Sequence, residues 1–205
     1  MATIHDGRTH DTVKIDSNNR MATNATVETL ADKAADSGDK FNINTGDLTL
    51  TNATKTSVLY ISNSSDDPLI ITTLIYNLGA TTSGTGDVLI EVIRNPTAGD
   101  IVTNANNVAI GSGVSANQNF GSNKTLSGSF FKGASGETAF TDGAVSVSTR
   151  LSSATGRILV ALGAIELTKG ASLGINYTPP ASNTSQKVQF AAACYLKSQA
   201  VSADS

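Results

Sequence analysis

From Lys40 onward, apolar residues either alternate with polar ones or gather in short runs bounded by Gly, Pro, Asn, Asp and Ser. Alternation marks a strand with one face buried, and a short bounded apolar run fits a strand buried on both faces. FNINTGDLTLTN (Phe41 to Asn52) alternates on either side of Thr45-Gly46-Asp47, which predicts two half-buried strands around a tight turn. TSVLYIS (Thr56 to Ser62) reads as a strand that stops at Asn63-Ser64-Ser65-Asp66-Asp67-Pro68. PLIITTLIYNLG (Pro68 to Gly79) and DVLIEVIRNPTAGD (Asp87 to Asp100, strand-like up to Asn95-Pro96) flank the flexible turn TTSGTGD (Thr81 to Asp87). Their pairing across it predicts a long central hairpin. The middle, Ile101 to Arg150, has only short apolar pieces, with one or two short strands expected in Leu126 to Gly143 and excursions rather than core elsewhere.

The last part of the chain reads as three strands in a row. They are RILVALGAIEL (Arg157 to Leu167), the strand-like centre of Lys169 to Ser185 before Pro179-Pro180, and KVQFAAACYLK (Lys187 to Lys197). The total is about eight to ten strands with regularly spaced turns and no amphipathic helix in the body, a pattern that predicts an all-β, two-sheet sandwich of jelly-roll or Greek-key type. Residues 1–38 differ: they hold both histidines, many charges and scattered apolar residues, with a short helical possibility at Val27 to Asp36 stopped by Ser37-Gly38. The expected organisation is an N-terminal arm, 1–38, extended or ordered on a partner; a β-sandwich body, 39–198; and a flexible C-terminal tail, 199–205.

Composition supports the β reading. Thr, Ser and Asn make up 26, 23 and 17 residues, and such side chains suit solvent-facing strand positions and turns while disfavouring helix interiors. A net charge of −3 with scattered basic residues leaves no electrostatic footprint for nucleic acid. No apolar stretch approaches the roughly 20 residues of a membrane span, and MATIHDGRTHD has no apolar core of a secretory signal. The lone Cys194 cannot form an intramolecular disulfide, which fits synthesis in a reducing compartment, and its place in a strand run suits a buried small hydrophobe. Asn-x-Ser/Thr sequons stand at Asn24, Asn52, Asn63, Asn123, Asn176 and Asn183, close to the number chance gives in so Asn-, Ser- and Thr-rich a chain.

Candidate chemistry is thin. His5 and His10 lie in the tail, far in sequence from Cys194, so no nucleophile–base pair is legible. The repeated His5-Asp6 and His10-Asp11 are too sparse for a tetrahedral metal site in one chain; only a trimer could bring three copies of one histidine together. Gly121 to Thr125 has Asn123 where a phosphate loop needs glycine, and Gly111 to Ala116 lacks the helix of a dinucleotide fingerprint. Paired carboxylates for glycoside hydrolysis would come from Asp66, Asp67, Asp87, Glu91, Asp100, Glu137, Asp142 and Glu166, of which no pair stands out, Glu91 and Glu166 reading as solvent-facing. With no tryptophan there is no aromatic sugar platform. The expectation is a non-enzymatic protein with no cofactor, metal or small-molecule substrate, no nucleic acid and no membrane.

Several segments resemble a family of tailed-bacteriophage virion proteins: DSNNRM (Asp16 to Met21), GDKFNINTGDLTLT (Gly38 to Thr51) and LYISNSSDDPLIITTLIYNLGATTSGTGD (Leu59 to Asp87). RNPTAG (Arg94 to Gly99), NFGSNKTLSGSFFKG (Asn119 to Gly133), LTKGASLGINYTPPASNTS (Leu167 to Ser185) and the terminal ACYL complete the likeness, which covers most of the chain through turn chemistry and strand pattern. The resemblance implies a jelly-roll module with the closing strands inside its sheets. It further implies a head decoration, or cement, protein that clamps neighbouring major capsid protein subunits on the virion surface, commonly as a homotrimer. Synthesis would then be in the bacterial host cytoplasm. On that reading Ile4, Val13 and Ile15 are the arm's apolar partner-binding anchors. The alternative is a tail-associated fibre, spike or adaptor jelly roll that binds a host-surface glycan or another virion protein, with Ala105 to Gly143 as its recognition surface.

Overall fold

The computed structural model of the chain describes residues 29–81, 86–103, 108–109, 115–152 and 156–197. A two-turn helix α1 (Leu30–Ser37) precedes β1 (Lys40–Asn44), β2 (Leu48–Leu50), β3 (Thr56–Asn63), β4 (Leu69–Thr81) and β5 (Val88–Arg94). A single helical turn α2 (Asp100–Thr103) and the short strands β6 (Val108–Ala109), β7 (Ser115–Asn117) and β8 (Gly128–Lys132) follow. The chain closes with β9 (Ala144–Leu151), β10 (Gly156–Leu167), β11 (Ser172–Thr178) and β12 (Gln186–Leu196). The protein is an all-β sandwich of two antiparallel sheets. One runs β10-β4-β12-β1-β7 with β2 also on β12, and the other runs β6-β8-β3-β11-β5-β9.

The winding is that of a jelly roll. β1 and β2 pair with β12, β3 with β11, β4 with β10 and β5 with β9. The first strand thus meets the last and each later one meets the next in from the other end. These nested pairs fall alternately in the two sheets, as they do when an antiparallel ribbon is rolled up. Contacts β4–β12 and β5–β11 then seal each sheet.

Alternation along the strands fills the space between the sheets. Phe41, Ile43, Leu50, Leu69, Ile71, Leu74, Tyr76 and Phe190 come from one sheet and Leu59, Ile61, Val88, Ile90, Ile175 and Tyr177 from the other, all but inaccessible to solvent. A second, smaller cluster of Ile93, Ile101 and Phe140, with Tyr60 and Phe131 against it, lies apart from this core and packs part of the middle segment onto the β3-β11-β5 sheet.

Several sequence expectations need correction. The expected hairpin between Pro68–Gly79 and Asp87–Asp100 does not form, because β4 and β5 lie in different sheets. Sheets stack about 10 Å apart, and a linker of the length between Thr81 and Val88 has the reach to bridge that distance as readily as to turn a hairpin. Phe41 to Asn52 is not a hairpin either: β1 and β2 run in one direction along the same edge of β12, Asn44 opposite Ala191 and Leu48 opposite Val188. Between these pairs three residues on one side face two on the other, Gln189 and Phe190, so Thr45-Gly46-Asp47 forms a bulge. Gly46 takes the left-handed conformation that such a bulge demands, φ 65°. Thr45 repairs the ladder there, its N–H donating to the Phe190 carbonyl (2.9 Å) and its hydroxyl oxygen accepting from the Phe190 N–H (3.0 Å). The twelve strands among the described residues exceed the predicted eight to ten because β2, β6 and β7 are only two or three residues long. Of the closing strands, β11 and β12 are internal but β10 is an edge. An apolar run reports burial of side chains, not the strand's place in its sheet.

Candidate binding surface

The most elaborate loop structure gathers at one end of the sandwich, where α1 meets the body. Thr29 caps α1 through a reciprocal box with Asp32, and Gly38 ends it in the left-handed conformation, as the sequence predicts. Asp39 then ties the helix to the sheet: its N–H donates to the Ala34 carbonyl, and its own carbonyl accepts from the Leu196 N–H at 2.8 Å. Helix α1 is therefore docked on the body although it belongs to the segment read as an arm. Ile4, Val13, Ile15, His5 and His10 lie outside the described residues.

Against α1 sits the turn that follows β7. Asn117 Nδ2 donates to the Gly38 carbonyl at 2.6 Å, and Asn119 Nδ2 donates to the Asp36 carbonyl at 3.0 Å. Asn117 and Asn119 each fold the chain back on itself by accepting the N–H two residues ahead, from Asn119 and Gly121. Gln118 donates from its side chain to Asn42 and from its backbone to the Lys40 carbonyl, and Lys124 pairs with Asp39. At the apex of this pinned turn Phe120 is 98% exposed. The four aromatics of the middle segment thus separate: Phe140 is buried, Phe130 and Phe131 are half-buried, and Phe120 alone projects. Leu30, at the start of α1, is also exposed.

The same end carries a cleft of about 370 Å³ under the opposite edge, lined by Val92, Ile165, Leu167, Ala171 and Leu173 with Arg94 at the rim. Asn95, which also lines the cleft, continues the β5–β11 ladder: its N–H donates to the Ser172 carbonyl and its side-chain oxygen accepts from the Ser172 N–H, both at 2.9 Å.

The carboxylates singled out as possible catalytic pairs are spent on structure. Lys169 pairs with Asp66, Lys55 with Glu91, Arg150 with Asp87 and Lys197 with Glu166. Glu91 is half-buried beneath Lys55, not solvent-facing as expected. Asp142 accepts from the backbone N–H groups of Thr97 and Ala98 and from the Thr97 hydroxyl, which buckles together the two ends of the long excursion between β5 and β9. Asp100 and Glu137 are the one pair that the fold brings together: Asp100 accepts the Thr138 N–H at 2.8 Å, and Glu137 faces it with a shielded carboxyl oxygen.

These two groups give the excursion a pH profile. The Thr97 hydroxyl, then the Ala98 and Thr97 N–H groups, hold Asp142 below its ordinary value of 3.8. That stabilisation is present above 3.8 and is lost as pH falls through the lower folded value. Burial, then the neighbouring Asp100 charge, hold Glu137 above its ordinary 4.5, so its contribution is complete below 4.5 and is lost as pH rises through the folded value. Hydrogen exchange at Thr97, Ala98 and Thr138, corrected for intrinsic rates, is expected to be slowest at about pH 4–5 and faster on either side. Glu137→Gln should remove the loss on the alkaline side.

Cys194 is buried in β12 with its Sγ against the Phe41 carbonyl, and burial pushes its thiol up to about 12. A thiol reagent at pH 8 should therefore label the native protein only at the rate of unfolding, and at once in denaturant. Three of the sequon asparagines are likewise committed. Asn63 Nδ2 donates to the Asp67 and Leu167 carbonyls, Asn183 Nδ2 to those of Leu50 and Asn52, and Asn176 Nδ2 to that of Phe140. A glycan on any of these nitrogens would displace buried hydrogen bonds.

Among the described residues no group of three or more His, Cys, Asp or Glu side chains could hold a metal ion, and no helix is long and apolar enough to cross a membrane. No protein-family model matches the chain, and no curated protein matches it. Among solved structures, that of the infectious bursal disease virus Gx strain aligns over 77% of this chain and 38% of that chain at 12% identity, with a TM-score of 0.11. A likeness that weak carries no argument about fold or function.

Proposed function

We propose that this chain is a non-enzymatic structural protein of a tailed-phage particle, which decorates and stabilises the capsid by bridging subunits of the major capsid protein. It would act as a homotrimer on the virion surface after synthesis in the bacterial host cytoplasm, through protein surfaces alone and without a cofactor. The observation that carries the reading is a closed jelly-roll core beside a pinned loop surface, at one end of the body, that presents an exposed aromatic where the N-terminal segment joins. Aromatic side chains, Phe among them, are enriched in protein interfaces relative to the rest of the surface. The segments that resemble virion proteins include both halves of this surface, Gly38 to Thr51 and Asn119 to Gly133. The mechanism is adhesion: each copy adds buried area across a seam, and many copies together resist internal pressure.

The test is the copy number in purified particles, measured by quantitative mass spectrometry, together with rebinding of the isolated protein to undecorated capsids. On the order of hundreds of copies, as a multivalent clamp requires, and saturable rebinding would support the reading. A handful of copies and binding to a host-surface glycan would replace it with the tail-associated fibre or spike. To assign a role to Ile4, Val13 and Ile15, the arm should be cut after residue 28, because a cut at 38 also removes α1 and the partners of Asn117 and Asn119. Loss of rebinding with an intact body would support the arm as the anchor.

A further inference from the structure

Phe120 and the cleft stand at the same end of the sandwich on opposite edges. Along that end Asn117 lies beside Phe41, Lys40 beside Tyr195, and Leu69 beside both Leu196 and Leu167. Four strand spacings, about 19 Å, separate the β7 edge that carries the knob from the β10 edge that borders the cleft.

The two features complement each other. The knob is apolar, and the hydrogen bonds of Asn117 and Asn119 hold it in place before anything binds, so its capture costs little ordering entropy. Half of the residues lining the cleft are aliphatic, the rest polar, with Glu166 among them but paired to Lys197, and its volume of about 370 Å³ is in the range of a small binding pocket. Charge gives the match a direction. Asp36 flanks the knob, exposed, and Arg94 stands exposed at the cleft rim; neither has an ion-pair partner among the described residues.

We propose that copies of this chain associate head to tail, with Phe120 of one seated in the cleft between β5, β10 and β11 of the next, and Asp36 facing Arg94. Such a contact uses two different patches on every copy, so it propagates until a ring closes. It does not depend on what particle the protein joins; a homotrimer on a capsid would be one such ring. Failure of capsid rebinding by a chain that still forms rings would therefore count against the proposed function alone.

The experiment is sedimentation velocity of the full chain over a concentration series, with circular dichroism to confirm that each variant is folded. Phe120→Asp removes the knob, and Ser146→Trp, at an exposed position on the cleft wall, fills the mouth. Each alone should weaken association about tenfold or more. Mixed in equal amounts, they should form a one-to-one pair, because one retains a cleft and the other a knob. Asp36→Arg and Arg94→Asp should each weaken assembly, and the double variant should recover it. A wild type that stays monomeric up to roughly 100 µM, an assembly indifferent to both blocking variants, or a mixture that fails to pair would each overturn the proposal.

Discussion

Phe190→Ala is expected to destabilise the protein by about 3–5 kcal/mol, and to lower the Tm by about 10 °C. Phe190 is fully buried at the middle of β12, and it is where the two sheets meet. Its ring lies 5.6 Å from Tyr76 of its own sheet and 5.6 Å, edge-on, from Tyr177 of the other. Removing it costs the transfer of the ring, opens a cavity in a packed core and breaks both aromatic pairs. The Thr45 bonds at the bulge go to the Phe190 backbone and should survive, so the loss reports packing alone. The two tyrosines provide contrasting controls. The Tyr177 hydroxyl donates to Gln186 at 2.8 Å, and Gln186 in turn donates to the Gly79 carbonyl. Tyr177→Phe should therefore destabilise by removing this buried hydrogen bond. The Tyr76 hydroxyl is buried with no hydrogen-bond partner among the described residues, so Tyr76→Phe should be neutral or stabilising. Denaturant melts of the three variants check the order. A Phe190→Ala protein as stable as wild type would mean that the sheets are held elsewhere.

Asn176→Ala has the second-largest expected effect, and a different signature. The Asn176 side chain acts as a substitute strand for Phe140, accepting its N–H at 2.9 Å and donating to its carbonyl at 3.1 Å, both buried. Deleting it orphans two backbone groups, at about 1–3 kcal/mol each. The Phe140 ring lies over Gly174 of the same strand, where a Cβ would come within 2.4 Å of it. Gly174→Ala should therefore lift the same segment by collision, where Asn176→Ala releases it by lost bonds. Both should act locally. The last part of the excursion between β5 and β9 is fastened to β11 at Phe140 and packs in the Ile93–Ile101–Phe140 cluster, apart from the main core, while Asp142 ties it to Thr97 and Ala98. Hydrogen exchange should accelerate at Thr138 and Phe140 well before it does in β4 and β12. A uniform increase across all strands would show that the excursion is part of one cooperative unit.

The lost alternation in the middle segment explains why this attachment was not legible. Phe140 carries no periodic signal, and Asn176 in the sequence is one of many asparagines, most easily read as a turn or solvent-facing residue. Only the nearby Gly174 hints that something approaches the strand closely. The same holds for the binding surface. Phe120 is one of four phenylalanines in a loop-rich stretch, and nothing local distinguishes it from Phe140. One is 98% exposed and the other 5% because of which turn is pinned where. Asp100 and Glu137, far apart in sequence, meet because α2 and the turn before Phe140 lie side by side.

What the sequence determined by itself was element type, element position and the inward faces. Periodicity located β3, β4, β5, β10 and β12, Gly38 stopped α1, and Cys194 was readable as core. All of these follow from short-range physics: the two-residue repeat of a strand, the missing Cβ of glycine and the cost of exposing apolar surface. Tertiary structure alone decided who pairs with whom. Thr45-Gly46-Asp47 makes a bulge instead of a hairpin, and β4 and β5, on either side of Thr81 to Asp87, join different sheets instead of pairing. The local turn chemistry allows either outcome. The choice rests on rolling the whole ribbon so that Phe41, Tyr76, Tyr177 and Phe190 share one core, and no window of ten residues contains that free energy.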